Sequence, residues 1–186
     1  SDIPPLFHTE RLDVGAVPYL DHPVEYPVLT GAQMWLSGAP ATDGRSFLWW
    51  TVPFLLVGAV VTTALLAREV GWRRALVVAA APTLLVSGAV NWDLPSVALA
   101  TAGLVAHRRG ADGWSGAWLG LGAAAKLWPG LALLAVVPAA WALRGRRAGL
   151  RTAGAAVGAW AAVNVPVLLA APRGWWRFVE LNRERV

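Results

Sequence analysis

The sequence predicts an all-α protein: a polytopic membrane helical bundle with a polar N-terminal segment on the outer, extracytoplasmic side. Three observations point to it. Hydrophobic residues make up 56% of the 186 positions against 15% charged, with a mean hydropathy of +0.50. The stretch from Phe47 to Ala67 holds no charge and meets the roughly 20 apolar residues that a bilayer crossing needs. The arginines gather in short turns between apolar runs, the pattern of loops retained on the cytoplasmic side.

Residues 1–46 form the first region. They are polar and punctuated by Pro4-Pro5, Pro18, Pro23, Pro27 and Pro40, which break regular structure into short helices and turns. Residues 47–171 form the transmembrane region, with about six spans, some of them short. Its apolar runs are Phe47 to Ala67, Ala75 to Val90, Leu94 to Ala106 and Ala148 to Ala171, the last with Arg151 near its start. Between 113 and 144 the chain is expected to cross and return as two short helices of about 12 to 15 residues, turning near Lys126 and Pro129. Alanine-glycine stretches at Gly120 to Ala125 and Ala153 to Ala162 suit close helix packing. Residues 172–186 form an outer juxtamembrane segment. The chain opens at Ser1 without an initiator methionine or a basic-then-apolar leader, and Glu180 to Val186 stops inside a helix-compatible run. Both features predict a longer parent polypeptide, truncated here at both ends.

Orientation follows from Arg68, Arg73, Arg74, Arg108, Arg109, Arg144, Arg146, Arg147 and Arg151, nine of the sixteen basic residues, all in turns expected inside. Only Glu69 and Asp112 share that side. Asp2, Glu10, Asp13, Asp21, Glu25, Asp43, Asp93, Glu180 and Glu184 fall outside, so the groups able to do chemistry converge on one face.

Lys126 is the single lysine, set in an uncharged stretch from Trp114 to Leu143 of a chain whose other basic residues are arginines. An ionisable group at membrane depth costs roughly 2.5 to 3.5 kcal/mol and faces a partner, a cavity or a substrate, or snorkels from a helix end. A compact ammonium suits an anionic phosphate. Asp2 and Glu25 are outer-loop carboxylates, either solvated or placed to take a proton from a hydroxyl. Glu10, Asp13, Asp21 and Asp43 read as solvated loop carboxylates. His22, beside Glu25, is a surface histidine or a donor to a leaving phosphate. Tyr26-Pro27 is an extended hinge before a helix that starts near Leu29. Asp93 reads as the N-cap of the next helix, with Pro95 in its first turn, or as a carboxylate facing the outer cavity. Arg173, Arg177, Arg183 and Arg185 either fork onto a phosphate or touch anionic headgroups. The twelve tryptophans read chiefly as an interfacial belt, with Trp92 or Trp175 as a sugar-stacking alternative.

Several classes find no support. There are no cysteines, and His8, His22 and His107 show no ligand spacing, so no metal site is expected. No glycine-rich phosphate loop follows a strand. Nucleic-acid binding is not expected, because the basic balance lies in turns beside spans.

The strings Ser-Asp-Ile-Pro-Pro-Leu-Phe, Gly-Ala-Val-Pro-Tyr-Leu-Asp-His-Pro-Val-Glu-Tyr-Pro-Val-Leu, Asn-Trp-Asp-Leu-Pro-Ser-Val-Ala-Leu-Ala, Gly-Leu-Gly-Ala-Ala-Ala-Lys-Leu-Trp-Pro and Trp-Trp-Arg-Phe-Val-Glu-Leu-Asn-Arg-Glu-Arg resemble glycosyltransferase family 87. These are actinobacterial membrane mannosyltransferases of the C-type (GT-C) fold. The resemblance implies a polyprenyl-phosphate mannose donor, a glycolipid or glycan acceptor of the cell envelope, and membrane lipid as the surroundings. It places a multi-pass enzyme in the plasma membrane with an extracytoplasmic active face and no further cofactor. Asp2 matches the family's catalytic aspartate in the first outer loop, although Pro4-Pro5-Leu6 replaces the commoner valine-tyrosine and Phe7 supplies the aromatic. The implied reaction is a single displacement with inversion, in which the lipid phosphate leaves toward Lys126 with Arg177 or Arg183 nearby. His22, Glu25, Tyr26 and Asp93 complete the expected substrate-binding set. The alternative is a transporter or lipid flippase subunit with Lys126 and Asp93 lining a path across the bilayer, or a structural membrane subunit without chemistry.

Overall fold

The computed structural model describes residues 1–81, 88 and 90–183, except the side chains of 178 and 181–183. Among them every regular element is helical: α1 (Ile3–Thr9), a 3₁₀ turn (Leu12–Val14), α2 (Val28–Gly38), α3 (Gly44–Val70), α4 (Trp72–Ala79), α5 (Asp93–Arg108), α6 (Asp112–Ala125), α7 (Trp128–Leu131), α8 (Leu133–Arg144), α9 (Arg146–Ala170) and α10 (Pro172–Arg183). The expected apolar run from Ala75 to Val90 lies partly outside the described residues, and its opening belongs to α4.

Among the described residues two helices, α3 with 27 residues and α9 with 25, are long and apolar enough to cross a membrane. Helix α3 starts earlier than the charge-free run because Asp43 caps it. The Asp43 carboxylate accepts from the Ser46 amide at 2.7 Å, and the Ser46 hydroxyl accepts from the Asp43 amide at 3.0 Å. Along α3 the side chains of Leu56, Val57 and Val60 are exposed, and so are Leu134, Leu143, Val157 and Leu169 elsewhere. Helices that turn such apolar rows outward are stable where lipid, not water, surrounds them.

Small residues set the helix spacing. Gly116 and Gly120, one turn apart on α6, face the backbone carbonyls of Thr152 and Ala156 on α9, where a Cβ on either glycine would overlap them. This close crossing is the small-residue packing expected of the alanine-glycine runs. Gly103 of α5 receives the Leu119 side chain of α6, and Gly58 of α3 lies against the Leu94 backbone at the start of α5. Helix α6 is thereby held between α5 and α9. Either side of the Lys126 turn stand α6, of fourteen residues, and α8, of twelve.

The two ends of the bundle differ in chemistry. At one end the C-terminal turns of α3, α5 and α8 meet the start of α6. Glu69 pairs with Arg109 at 2.7 Å and Arg108 at 3.7 Å, and Asp112 pairs with Arg144 at 2.7 Å. The two acids expected on the arginine-rich side are thus each held by arginine. At the other end the N-terminal segment folds over the starts of α3 and α5 as a cap with its own apolar core, in which Ile3, Phe7, Val24, Met34, Phe47 and Trp92 are almost wholly buried. Tyr19 joins this cap to the bundle. Its ring packs on Gly31 of α2, its hydroxyl donates to the Tyr26 carbonyl at 2.7 Å, and its own carbonyl sits against Gly174 of α10.

Candidate active site

Helix α6 ends at Ala125 because Lys126 turns to an extended backbone (φ −149°, ψ 145°) and Pro129 in α7 has no amide hydrogen to continue the ladder. The break projects Lys126 beyond the helix. Its Nζ meets Asp93 Oδ1 at 2.6 Å and lies 5.9 Å from the centre of the Tyr26 ring. The ammonium is therefore not a lone charge. A carboxylate and an aromatic face together hold it at the capped end of the bundle.

Asp93 corrects one expectation. It is the first residue of α5 rather than its cap, its side chain makes no capping hydrogen bond, and Trp92 occupies the cap position. The turn is made instead by Asn91, whose side-chain oxygen accepts from the Asp93 amide at 3.0 Å. Freed from capping, the Asp93 carboxylate reaches the lysine. Trp92 is a second correction, being 1% exposed against Tyr26 and Phe47 and so neither a belt residue nor a surface for a sugar. Trp175 is engaged as well, donating to Asn164 Oδ1 at 3.0 Å and set edge-on to Trp160.

Asp2 lies at the same end. Its amide donates to the Val90 carbonyl at 3.0 Å, which fixes the start of α1 beside the Asn91–Asp93 turn, and its own side chain is exposed. The backbone of Asp2 is thus tied, through Val90, to the segment that leads into Asp93. Helix α2 adds a brace: it starts at Val28, one residue before Leu29, and the Thr30 hydroxyl donates to the Ala125 carbonyl at 2.7 Å.

Asp13, Asp21 and Asp43 are exposed, as the solvated reading expects, and each also makes a local hydrogen bond. Asp43 is the α3 cap described above, Asp13 pairs with His8 at 2.9 Å, and Asp21 accepts from the Val17 amide at 2.9 Å. Glu10 departs from that reading: it is only 6% exposed, with Oε2 lacking a hydrogen-bond partner among the described residues. Burial, followed by the charge of Glu25, pushes its pKa up to about 7. His22 Nε2 stands 3.8 Å from Glu10 Oε2, and burial also raises the Tyr19 phenol. Glu25 therefore acts on Glu10. A sequence signal for Glu10 existed, since Ile3, Phe7 and Glu10 recur at helical spacing on the buried side of α1 and the turn that follows it.

On the outer side of this group a cavity of about 670 Å³ opens between the turn at Tyr19–Pro23 and the start of α10. Asp21, His22, Arg173, Trp176, Arg177 and Glu180 give it its chemistry, and Arg177 donates to Glu180 at 3.1 Å. His22 and Arg177 are thus brought together, at a place separate from the Lys126 turn. The Arg183 side chain lies outside the described residues. Arg173, expected on a phosphate or an anionic headgroup, lies in this lining, and so does Trp176, read with the other tryptophans as a belt residue.

The sequence model of glycosyltransferase family 87 matches residues 26–185. The chain belongs to this family. It is accordingly a membrane glycosyltransferase sequence, with which its two long apolar helices agree. No curated protein and no solved structure matches it. Within the span matched to family 87 lie Tyr26, Asp93, Lys126, Arg177 and Arg183, while Asp2, His22 and Glu25 precede it.

Proposed function

We propose that this family 87 chain transfers a hexose, mannose in the first instance, from a polyprenyl-phosphate donor to an envelope glycolipid or glycan, with inversion, at the extracytoplasmic face of the plasma membrane. The observation that carries the reading is the Lys126–Asp93 pair standing at the end of the bundle to which the Asp2 backbone is tied. Asp2 takes the proton of the acceptor hydroxyl as its oxygen forms the new bond to the anomeric carbon. The bond from that carbon to the phosphate oxygen breaks, and its electron pair leaves with the lipid phosphate. The Lys126 ammonium then offsets the charge that grows on the leaving group, which is where a fixed cation lowers the barrier most. Tyr26 and Asp93 orient that ammonium. An apolar groove of about 900 Å³ between α3, α5 and α6 begins at Pro53 and Pro95, close to Asp93, and its lining suits the isoprenoid chain of such a donor.

The test is transfer from polyprenyl-phosphate mannose in membranes from cells that express the natural reading frame. Asp2→Asn is expected to abolish transfer while the protein still inserts and accumulates normally. Transfer at the unmodified rate would remove Asp2 from the mechanism, and transfer of a different sugar alone would correct the donor.

A further inference from the structure

We propose that the cavity between the Tyr19–Pro23 turn and α10 binds a saccharide headgroup that carries a phosphate or another acidic group, and that it is the acceptor subsite of the transferase. The word acceptor rests on the function proposed above; the binding does not.

Four observations support it. The lining mixes guanidinium, imidazole, carboxylate and indole groups, from Arg173, Arg177, His22, Asp21, Glu180 and Trp176, in a space of about 670 Å³ that admits a sugar ring or two. Guanidinium and carboxylate groups suit paired ring hydroxyls, and a half-exposed indole suits the apolar face of a sugar. The carboxylates there are already engaged, Asp21 by the Val17 amide and Glu180 by Arg177. Among the described residues no carboxylate lies within ion-pairing distance of Arg173, so the cavity has a cation to offer an anion. Finally, neither Lys126 nor Asp93 lines it, although Tyr19 belongs to its wall and bonds Tyr26, which in turn lies against Lys126. A reaction with two substrates needs two adjoining places, and the lysine turn supplies the other.

His22 lines the cavity. Its Nε2 stands 3.8 Å from Oε2 of the buried Glu10.

The experiment uses protein reconstituted in phosphatidylcholine nanodiscs, with calorimetric titration of a hexose 6-phosphate, the neutral hexose and inorganic phosphate. The hexose phosphate is expected to bind at least about tenfold tighter than either of the others, and Arg173→Ala and Trp176→Ala each to weaken it about tenfold. Lys126→Ala is expected to leave this binding unchanged. Absence of binding, equal binding of inorganic phosphate, or loss of binding with Lys126→Ala would overturn the proposal. So would loss of binding in nanodiscs containing phosphatidylglycerol, which would make the cavity a lipid headgroup site. In the transfer assay Arg173→Ala is expected to raise the acceptor KM with the donor KM unchanged, and the reverse pattern would reject the acceptor assignment. If the unaltered protein transfers no sugar, the proposed function fails while the titrations still decide the cavity.

Discussion

Asp93, at the first residue of α5, and Lys126, just past the last residue of α6, meet at 2.6 Å with their side chains 47% and 21% exposed. A pair so open to solvent stabilises the fold by less than about 1 kcal/mol. Its value to the protein therefore lies in where it holds a positive charge. Lys126→Ala should lower transfer about a hundredfold or more while moving the thermal midpoint little. Asp93→Asn, which leaves the ammonium in place, should cost about tenfold, and Lys126→Arg should recover activity only in part, since a planar fork does not occupy the same point. Transfer rates and thermal melts of the three variants check this; a larger loss with Asp93→Asn would move the essential charge to the carboxylate.

Glu10 predicts a pH dependence of stability. Its folded pKa of about 7 lies above the ordinary value of 4.5, so the folded protein holds its proton more tightly than the unfolded chain does. Between these two values stability must fall as pH rises, by on the order of 1 to 3 kcal/mol in total. Glu10→Gln should remove most of that slope and raise the melting temperature at pH 8 relative to the unaltered protein. Melting curves at pH 5 and pH 8 provide the measurement, and an unchanged slope would show that Glu10 is ionised in the folded state.

The crossing of α6 and α9 should tolerate no side chain on its glycines. Gly116→Ala and Gly120→Ala place a methyl group against the Thr152 and Ala156 carbonyls, for which overpacking costs about 1 to 3 kcal/mol. Gly154, also on α9, has nothing within 4 Å of a would-be Cβ, and Gly154→Ala should be neutral or stabilising by up to about 1 kcal/mol. Unfolding in detergent separates the two outcomes, and equal effects at all three positions would mean that the helices do not cross at these residues.

Because the chain has no cysteine, single cysteines report membrane side without further engineering. Asp2→Cys and Lys126→Cys should react with an impermeant thiol reagent from the same side of the membrane, and Arg146→Cys only from the other. Labelling of positions 2 and 126 from opposite sides would separate the two groups on which the proposed chemistry depends.

How legible these features were depended on their range. The Lys126 break could be read because it is local: a charge and a proline end an apolar helix wherever it packs. The arginine-rich turns between apolar runs were legible for the same reason, and the ion pairs of Glu69 and Asp112 now gather those turns at one end of the bundle. Trp92, Glu10 and the cap reading of Asp93 are where the structure departs from the sequence pattern. Each looked like a local device, a cap, a belt residue or a solvated acid, and each is instead defined by a partner distant in sequence. That Arg173 and Trp176 share a cavity with His22 is not legible in the sequence, because α10 makes a cavity only where it lies against the Tyr19 turn.

By itself the amino-acid order determined that the chain is helical, apolar on its outside, broken at Lys126 and basic in its short turns. Those properties come from composition and from neighbours a few residues away, and they hold in any packing of the helices. Only the tertiary structure decided that Asp93 rather than solvent receives the lysine, that the N-terminal segment is a cap with a buried carboxylate, and that a cavity separate from the lysine opens beside α10. Such outcomes depend on which helix faces meet, and glycines that let backbones touch at Gly58, Gly116, Gly120 and Gly174 set those meetings across long stretches of chain.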